Sequence, residues 1–193
     1  KRDMDPHRWR LDGQLALVTG GSAGIGRAIA RELLGFGATV LIVARNGDAL
    51  ETTRDELAEE FPDGDIRAFI GDVADDEQRR EVLDWVEDQG EGLNILVNNA
   101  GGNLTRAAND YAEDEWREIF EVNVFGAFEL SRHAHPLLAQ HASSCIVNVG
   151  SVSGLTHVRS GAPYGMSKAA MHQMTRNLAV EWAEDGIRVN AVA

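Results

Sequence analysis

Residues Gln14–Gly26 read Gln-Leu-Ala-Leu-Val-Thr-Gly-Gly-Ser-Ala-Gly-Ile-Gly. The run Gln14–Thr19 is apolar and of strand length, and it passes directly into a cluster of glycines. From Gly24 to Phe36 the apolar residues recur at helical spacing. A buried strand, a glycine turn and a helix in immediate succession is the opening unit of an α/β sheet.

The same alternation continues along the chain. Further strands are expected at Ala38–Ala44, Ile66–Ile70, Leu93–Asn98, Ser144–Ser151 and Ile187–Val192. Helices are expected at Gly47–Phe61, Asp75–Gln89, Glu113–His141 and Pro163–Glu184, with Asp75 and Gln78 spaced as a capping box. The strands are nearly continuous apolar runs, as burial on both faces of a parallel sheet requires. The fold expected is α/β: a doubly wound, Rossmann-like parallel sheet of order 3-2-1-4-5-6, with helices on both faces and no seventh strand. With neither repeat nor linker, residues 1–193 are read as one domain.

Composition narrows the function. No apolar run reaches the ~18–20 residues of a membrane helix. The start, KRDMDPHRWRLDG, lacks the apolar core and cleavage site of a secretory signal. A single cysteine, Cys145, precludes an internal disulfide and agrees with a reducing, cytoplasmic setting. The net charge of −13 argues against a nucleic-acid surface, while leaving room for one anion held by local cations and amides.

The glycine turn is a candidate for that anion site. Glycines let the backbone approach a pyrophosphate with no Cβ in the way, and the helix start offers free amides. The spacing Gly20-x-x-x-Gly24-x-Gly26 differs from the usual G-x-G-x-x-G, and the alternative is a turn without a ligand. The flanking strand and helix favour the dinucleotide reading. Its candidate contacts here are Gly20, Ser22, Ala23, Gly24, Ile25 and Gly26. The second strand ends Ala44-Arg45-Asn46, where an NAD site tends to place a carboxylate. Arg45 instead offers a planar cation for a 2′-phosphate, so the cofactor expected is NADP; a solvated surface arginine is the alternative. Asp72 and Val73 follow the third strand, where Asp72 suits either the adenine amino group or a helix start. Asn98, Asn99, Ala100 and Gly101 close the fourth, with small residues that permit close approach and amides that can lock neighbouring strands. All lie at carboxyl ends of parallel strands, where open sheets bind ligands.

Tyr164 and Lys168 are four apart in a predicted helix and share a face. A free tyrosine ionises near pH ~10. A neighbouring ammonium favours the phenolate, which makes the phenol a candidate proton donor or acceptor for a carbonyl–alcohol pair. Such a pair alone is common on surfaces. Ser151, thirteen residues earlier at the end of the fifth strand, can hold a substrate oxygen beside it. Asn123 interrupts a helical run and needs a local reason, or is merely tolerated.

Together, Thr19-Gly20-x-x-x-Gly24-x-Gly26, Asn98-Asn99-Ala100-Gly101, Asn123, Ser151 and Tyr164-x-x-x-Lys168 resemble the short-chain dehydrogenase/reductase family, from about Leu11 to Ala193. The stretches RWRLDGQLALVTGGSAGIG, LNILVNNAG and LAVEWAEDGIRVNAVA further resemble its tropinone-reductase-like members. The resemblance implies an NADP-dependent oxidoreductase that interconverts a ketone and a secondary alcohol. In it Ser151 positions the carbonyl oxygen, and Tyr164, which with Lys168 is also among the cofactor contacts, passes the proton. Lys168 favours the phenolate and binds the nicotinamide ribose, and Asn123 holds a water linking Lys168 to solvent. A homodimer or homotetramer, paired through the helices near Glu113–His141 and Pro163–Glu184, is also implied. Family members continue past the position of Ala193 into a Pro-Gly turn, a covering segment and a seventh strand, so the chain is expected to be C-terminally truncated. A nucleotide-binding scaffold or sensor without catalysis is the alternative; the matched Ser151, Tyr164 and Lys168 weigh against it.

Other residues are assigned blander roles. His133 and His135 fall on different helix faces and His141 is isolated, so no metal is expected. His157, in the loop before Tyr164, is read as a surface residue with contact to substrate as the alternative, and Cys145 as an inert core residue. Trp116, Phe120, Phe125 and Phe128 are read as core or subunit contacts.

Overall fold

A computed structural model describes residues 9–90 and 92–193. The stretch 1–8, part of the segment read as lacking a secretory signal, lies outside the described residues.

Six parallel strands form one sheet in the order β3-β2-β1-β4-β5-β6. They are β1 Leu15–Thr19, β2 Thr39–Ala44, β3 Ile66–Ile70, β4 Ile95–Asn98, β5 Ser144–Val149 and β6 Ile187–Val192. Helices α1 Gly24–Gly35, α2 Gly47–Glu60, α3 Asp76–Glu87, α4 Glu113–Phe120, α5 Ala127–Leu138 and α6 Ala162–Glu181 connect them. The expected fold class and strand order are both present.

The strands alternate residues between two cores, as a pleat dictates. Leu15 and Leu17 pack with Val82 and Val86 of α3, Leu130 of α5 and Leu178 of α6. Ala16 and Val18 pack on the other face with Ala30 and Leu34 of α1 and Leu50 and Leu57 of α2. Central β1 is wholly buried, which is why its sequence shows no polar alternation. β5 departs from that expectation: Ser144, Ile146 and Asn148 are buried, whereas Cys145, Val147 and Val149 are half-buried. Cys145 is thus only partly enclosed, and burial raises its thiol above the usual range.

Register aligns the strand ends that carry the site. Thr19 lies opposite Val43, Asn98 opposite Asn148, and Val149 opposite Val192. The sheet order reverses between β1 and β4, and this switch point opens a crevice at the carboxyl edge.

Two local expectations are corrected. The single helix over Glu113–His141 is instead α4, a π-helical segment Glu121–Gly126, and α5. The wide turn contains Asn123, whose side chain is drawn out of the helix surface into buried bonds. The capping box at Asp75 is half formed. Asp75 accepts from the Gln78 amide, but Gln78 Oε1 accepts from the Asp72 amide at 2.9 Å rather than reaching back to Asp75.

Candidate active site

The glycine turn is built so tightly that its residues are dictated by contact. Gly20 has φ +65°, and a Cβ on Gly26 would stand 2.2 Å from the Gly20 carbonyl oxygen. Asn99 Nδ2 donates to the carbonyls of Thr19 (2.8 Å) and Gly20 (3.2 Å). Thr19 Oγ1 accepts from the amides of Asn99 and Ala100 at 3.0 Å each. The end of β4 thereby holds the β1 turn open, and Thr53 of α2 donates to the Ser22 carbonyl from the far side.

Gly20, Ser22, Arg45, Asn46, Asp72 and Val73 line one cleft, with Ala100 and Gly101 completing its wall. Of the other predicted dinucleotide contacts, Ala23, Gly24 and Ile25 are exposed at the start of α1. Gly26 and Asn99 lie behind the turn and shape it. Asn46 also caps α2, its Oδ1 accepting from the Ala49 amide at 3.1 Å. Arg45, 63% exposed, stands 3.5 Å from Asp72, whose Oδ1 accepts from the Ala74 amide. This pairing was not legible from their separate strands.

Beyond Gly101, Lys168 is only 4% exposed, and its Nζ donates to the Val149 carbonyl at 2.8 Å. The ammonium lies 5.8 Å from the Tyr164 ring centre. Burial pulls the Lys168 ammonium down to about 8 from its usual 10.5. The hydroxyl of Tyr164 has no hydrogen-bond partner among the described residues. Ser151 Oγ accepts from the Ser153 amide at 3.1 Å, starting a short turn at Val152–Gly154. That turn packs onto α6, because a Cβ on Gly154 would meet the Lys168 carbonyl carbon at 2.6 Å. The turn that Ser151 starts therefore packs onto α6 near Gly165 and Lys168, the helix that also carries Tyr164.

Asn123 joins the two regions. It accepts from the Gly102 amide (2.8 Å) and donates to the Gly102 carbonyl (2.9 Å) and Ser167 Oγ (3.0 Å). Between them, a Cβ on Gly101 would be 3.0 Å from Asn123 Oδ1 and 3.6 Å from Lys168 Nζ.

The Asn98 amide locks neighbouring strands as expected, but the sequence did not convey the full buried polar relay beneath the site or its partners. Asn98 Nδ2 donates to Ser131 Oγ (2.9 Å) and Asn148 Oδ1 (2.8 Å), and Asn148 Nδ2 donates to Thr175 Oγ1 (2.9 Å). It ties α5, β4, β5 and α6 together. The signal available was Asn148 in an otherwise apolar strand, since buried amides require partners. His172, one turn after Lys168, was also passed over; it is buried, and its imidazole is held below its usual range by burial, then by Arg176 and Lys168. Among the described residues, His, Cys, Asp and Glu form no group suited to a metal.

The buried ammonium carries a stability prediction. Because the folded state releases this proton near pH 8 and the unfolded state near 10.5, the unfolded state binds more protons between those values. The Lys168 contribution to wild-type stability should therefore rise across that window by about 3 kcal/mol, at 1.36 kcal/mol per pH unit of difference. Lys168→Met abolishes this rise and leaves the protein at least as stable at pH 7, since an uncompensated buried charge is replaced by an apolar chain. Denaturant midpoints at pH 7.5 and 10.5 for both proteins measure the effect; parallel changes in the two would contradict it.

The short chain dehydrogenase family model matches residues 14–193. A tropinone reductase homolog of Arabidopsis thaliana (At2g29170) is 42% identical over 190 residues, covering 97% of this chain and 70% of the relative. The Pseudomonas aeruginosa RhlG/NADP active-site complex is 36% identical, with TM-score 0.92, over 98% of this chain and 75% of that one. An NAD+-bound xylitol dehydrogenase is 30% identical, with TM-score 0.89, over 94% of this chain and 70% of that one. With the glycine turn, the crevice and the Tyr164–Lys168 helix in place, the chain belongs to the short-chain dehydrogenase family of oxidoreductases, in its tropinone-reductase-like branch.

Proposed function

We propose that the protein is an NADP-dependent reductase that interconverts a ketone and a secondary alcohol. The observation that carries this reading is the placement of Lys168: buried, anchored on Val149, against the Tyr164 ring, and beside Gly101, which lines the cleft that begins at Gly20. The cleft suits a dinucleotide, because a Cβ on Gly20 or Gly26 would occupy backbone space the turn needs. Gly20, Ser22, Arg45, Asp72, Ala100 and Gly101 would hold it, with Ala23, Gly24 and Ile25 at the outer rim.

Bound NADPH supplies a hydride to the carbonyl carbon. Ser151 Oγ donates to the carbonyl oxygen and fixes its direction. Tyr164 Oη transfers a proton to that oxygen as the alcohol forms. Lys168 stabilises the phenolate left behind. Asn123 Oδ1 has used one of its two accepting positions, on Gly102, so the other can hold a water through which Lys168 exchanges protons with solvent.

Arg45 supports NADP over NAD in this reading. An exposed pair such as Arg45–Asp72 is worth ~0–1 kcal/mol, so a doubly charged 2′-phosphate displaces Asp72 readily and pairs bidentately. The RhlG complex holds NADP and the xylitol dehydrogenase NAD+, so the choice rests on Arg45. Arg45→Ala should weaken NADPH binding at least about tenfold and NADH binding hardly at all, measured by tryptophan fluorescence titration. Equal losses for the two would refute the phosphate clamp.

Pairing into a homodimer or homotetramer belongs to the same reading. Phe125 (48% exposed) and Phe128 on the α4–α5 stretch, and Val180 (77% exposed) on α6, present apolar surface to solvent. No described helix is long and apolar enough to cross a membrane. With the single cysteine, that supports a cytoplasmic setting.

A further inference from the structure

A second groove, of about 380 Å³, adjoins the site. That is within the range of small-molecule sites. Its walls include Arg106, His157 and Arg159, together with the hydroxyl-bearing Thr105, Ser153 and Ser160. No carboxylate lines it, in a chain whose acidic residues outnumber its basic ones 31 to 18. Arg106 shares its charge with Glu115 at 2.5 Å, whereas Arg159 has no ion-pair partner among the described residues. The segment carrying Arg159 is pinned rather than loose: Ser160 Oγ donates to Ser153 Oγ at 3.2 Å, and Thr105 Oγ1 donates to the Ser160 carbonyl at 3.5 Å.

The groove begins where the chemistry ends. Ser153 is two residues beyond Ser151, and the lining residue Gly165 directly follows Tyr164. At ~3.8 Å per residue, its wall starts within about 8 Å of the Ser151 backbone. We propose that the carbonyl substrate carries a carboxylate, seated on Arg159 in this groove while its ketone faces Ser151 and Tyr164. This rests on the reductase reading above. The chain's overall negative charge does not oppose it at contact range, because salt at 0.15 M screens charges beyond about 8 Å. A guanidinium without a partner carboxylate is free to pair with the substrate's own. An amine-bearing ketone, cationic at neutral pH, meets the same wall with repulsion.

The test is NADPH oxidation with 3-oxobutanoate, 4-oxopentanoate and 5-oxohexanoate, their methyl esters, and the cationic N-methyl-4-piperidone. The best acid should exceed its ester about tenfold in kcat/KM, through KM, and 0.5 M NaCl should shrink the gap. Arg159→Gln should bring the acid-to-ester ratio near one, and Arg159→Lys should keep part of it. Acids and esters reduced alike, or the piperidone preferred, would overturn the carboxylate assignment and leave the reductase reading standing. Should no ketone turn over, the reductase reading fails, and calorimetric titration of 4-oxopentanoate into wild type and Arg159→Gln decides the groove. Binding that is lost in the variant supports the anion site, and no binding to wild type overturns it.

Discussion

Tyr164→Phe lowers kcat for ketone reduction by about 1000-fold while leaving the NADPH dissociation constant and the unfolding temperature unchanged. The size follows from the role: a positioned proton donor contributes roughly 10²- to 10⁴-fold, or about 3–5 kcal/mol of barrier. The selectivity follows from the structure. The hydroxyl makes no hydrogen bond to any described residue, so its removal breaks nothing in the fold, and the ring that lies 5.8 Å from Lys168 Nζ is retained. Steady-state NADPH oxidation, a fluorescence titration of NADPH and a thermal melt measure the three quantities. Turnover within threefold of wild type would remove Tyr164 as the proton donor and the proposed mechanism with it.

Gly26→Ala is the second large effect, and it acts on binding and stability together. The new Cβ would stand 2.2 Å from the Gly20 carbonyl oxygen, 2.4 Å from Asn99 Nδ2 and 2.8 Å from the Gly20 carbonyl carbon. Two of these are backbone atoms that cannot swing aside. The turn must shift, and the Asn99 bonds to Thr19 and Gly20 go with it. Overpacking of this kind costs about 3 kcal/mol, which for a domain of this size is ~6–12 °C in unfolding temperature. NADPH affinity should fall at least about 100-fold, since the amides that would face the pyrophosphate belong to the displaced turn. Gly24→Ala is the control. Gly24 has φ +54° but open space around its Cβ position, so its cost is conformational, ~1 kcal/mol. If the two variants melt and bind alike, the turn is not held by the Gly26–Gly20 contact.

The contrast between these glycines shows what the sequence could and could not convey. Gly20, Gly24 and Gly26 all announce a turn between strand and helix. Only the packed structure separates Gly24, needed for its backbone angle, from Gly26, needed because Asn99 and Gly20 press against it. Asn123 is similar. As a lone asparagine in a helical run it asked for a local reason, and the reason is a π-helical turn that delivers its amide to Gly102 and Ser167. Gln78 was placed in the right turn with the wrong partner, because a capping box is judged on spacing while the Asp72 amide arrives from the preceding loop.

Strand and helix order, and the parallel sheet they build, were determined by the sequence itself, because hydrophobic period and turn chemistry are local properties that neighbouring residues express together. The Arg45–Asp72 pair, the Ser131–Asn98–Asn148–Thr175 relay, the burial that lowers the Lys168 ammonium and the basic groove around Arg159 were decided only by tertiary structure. Each depends on which distant segments the sheet order sets side by side. Contact distance, solvent exclusion and charge pairing are properties of that juxtaposition, and no single stretch of chain carries them.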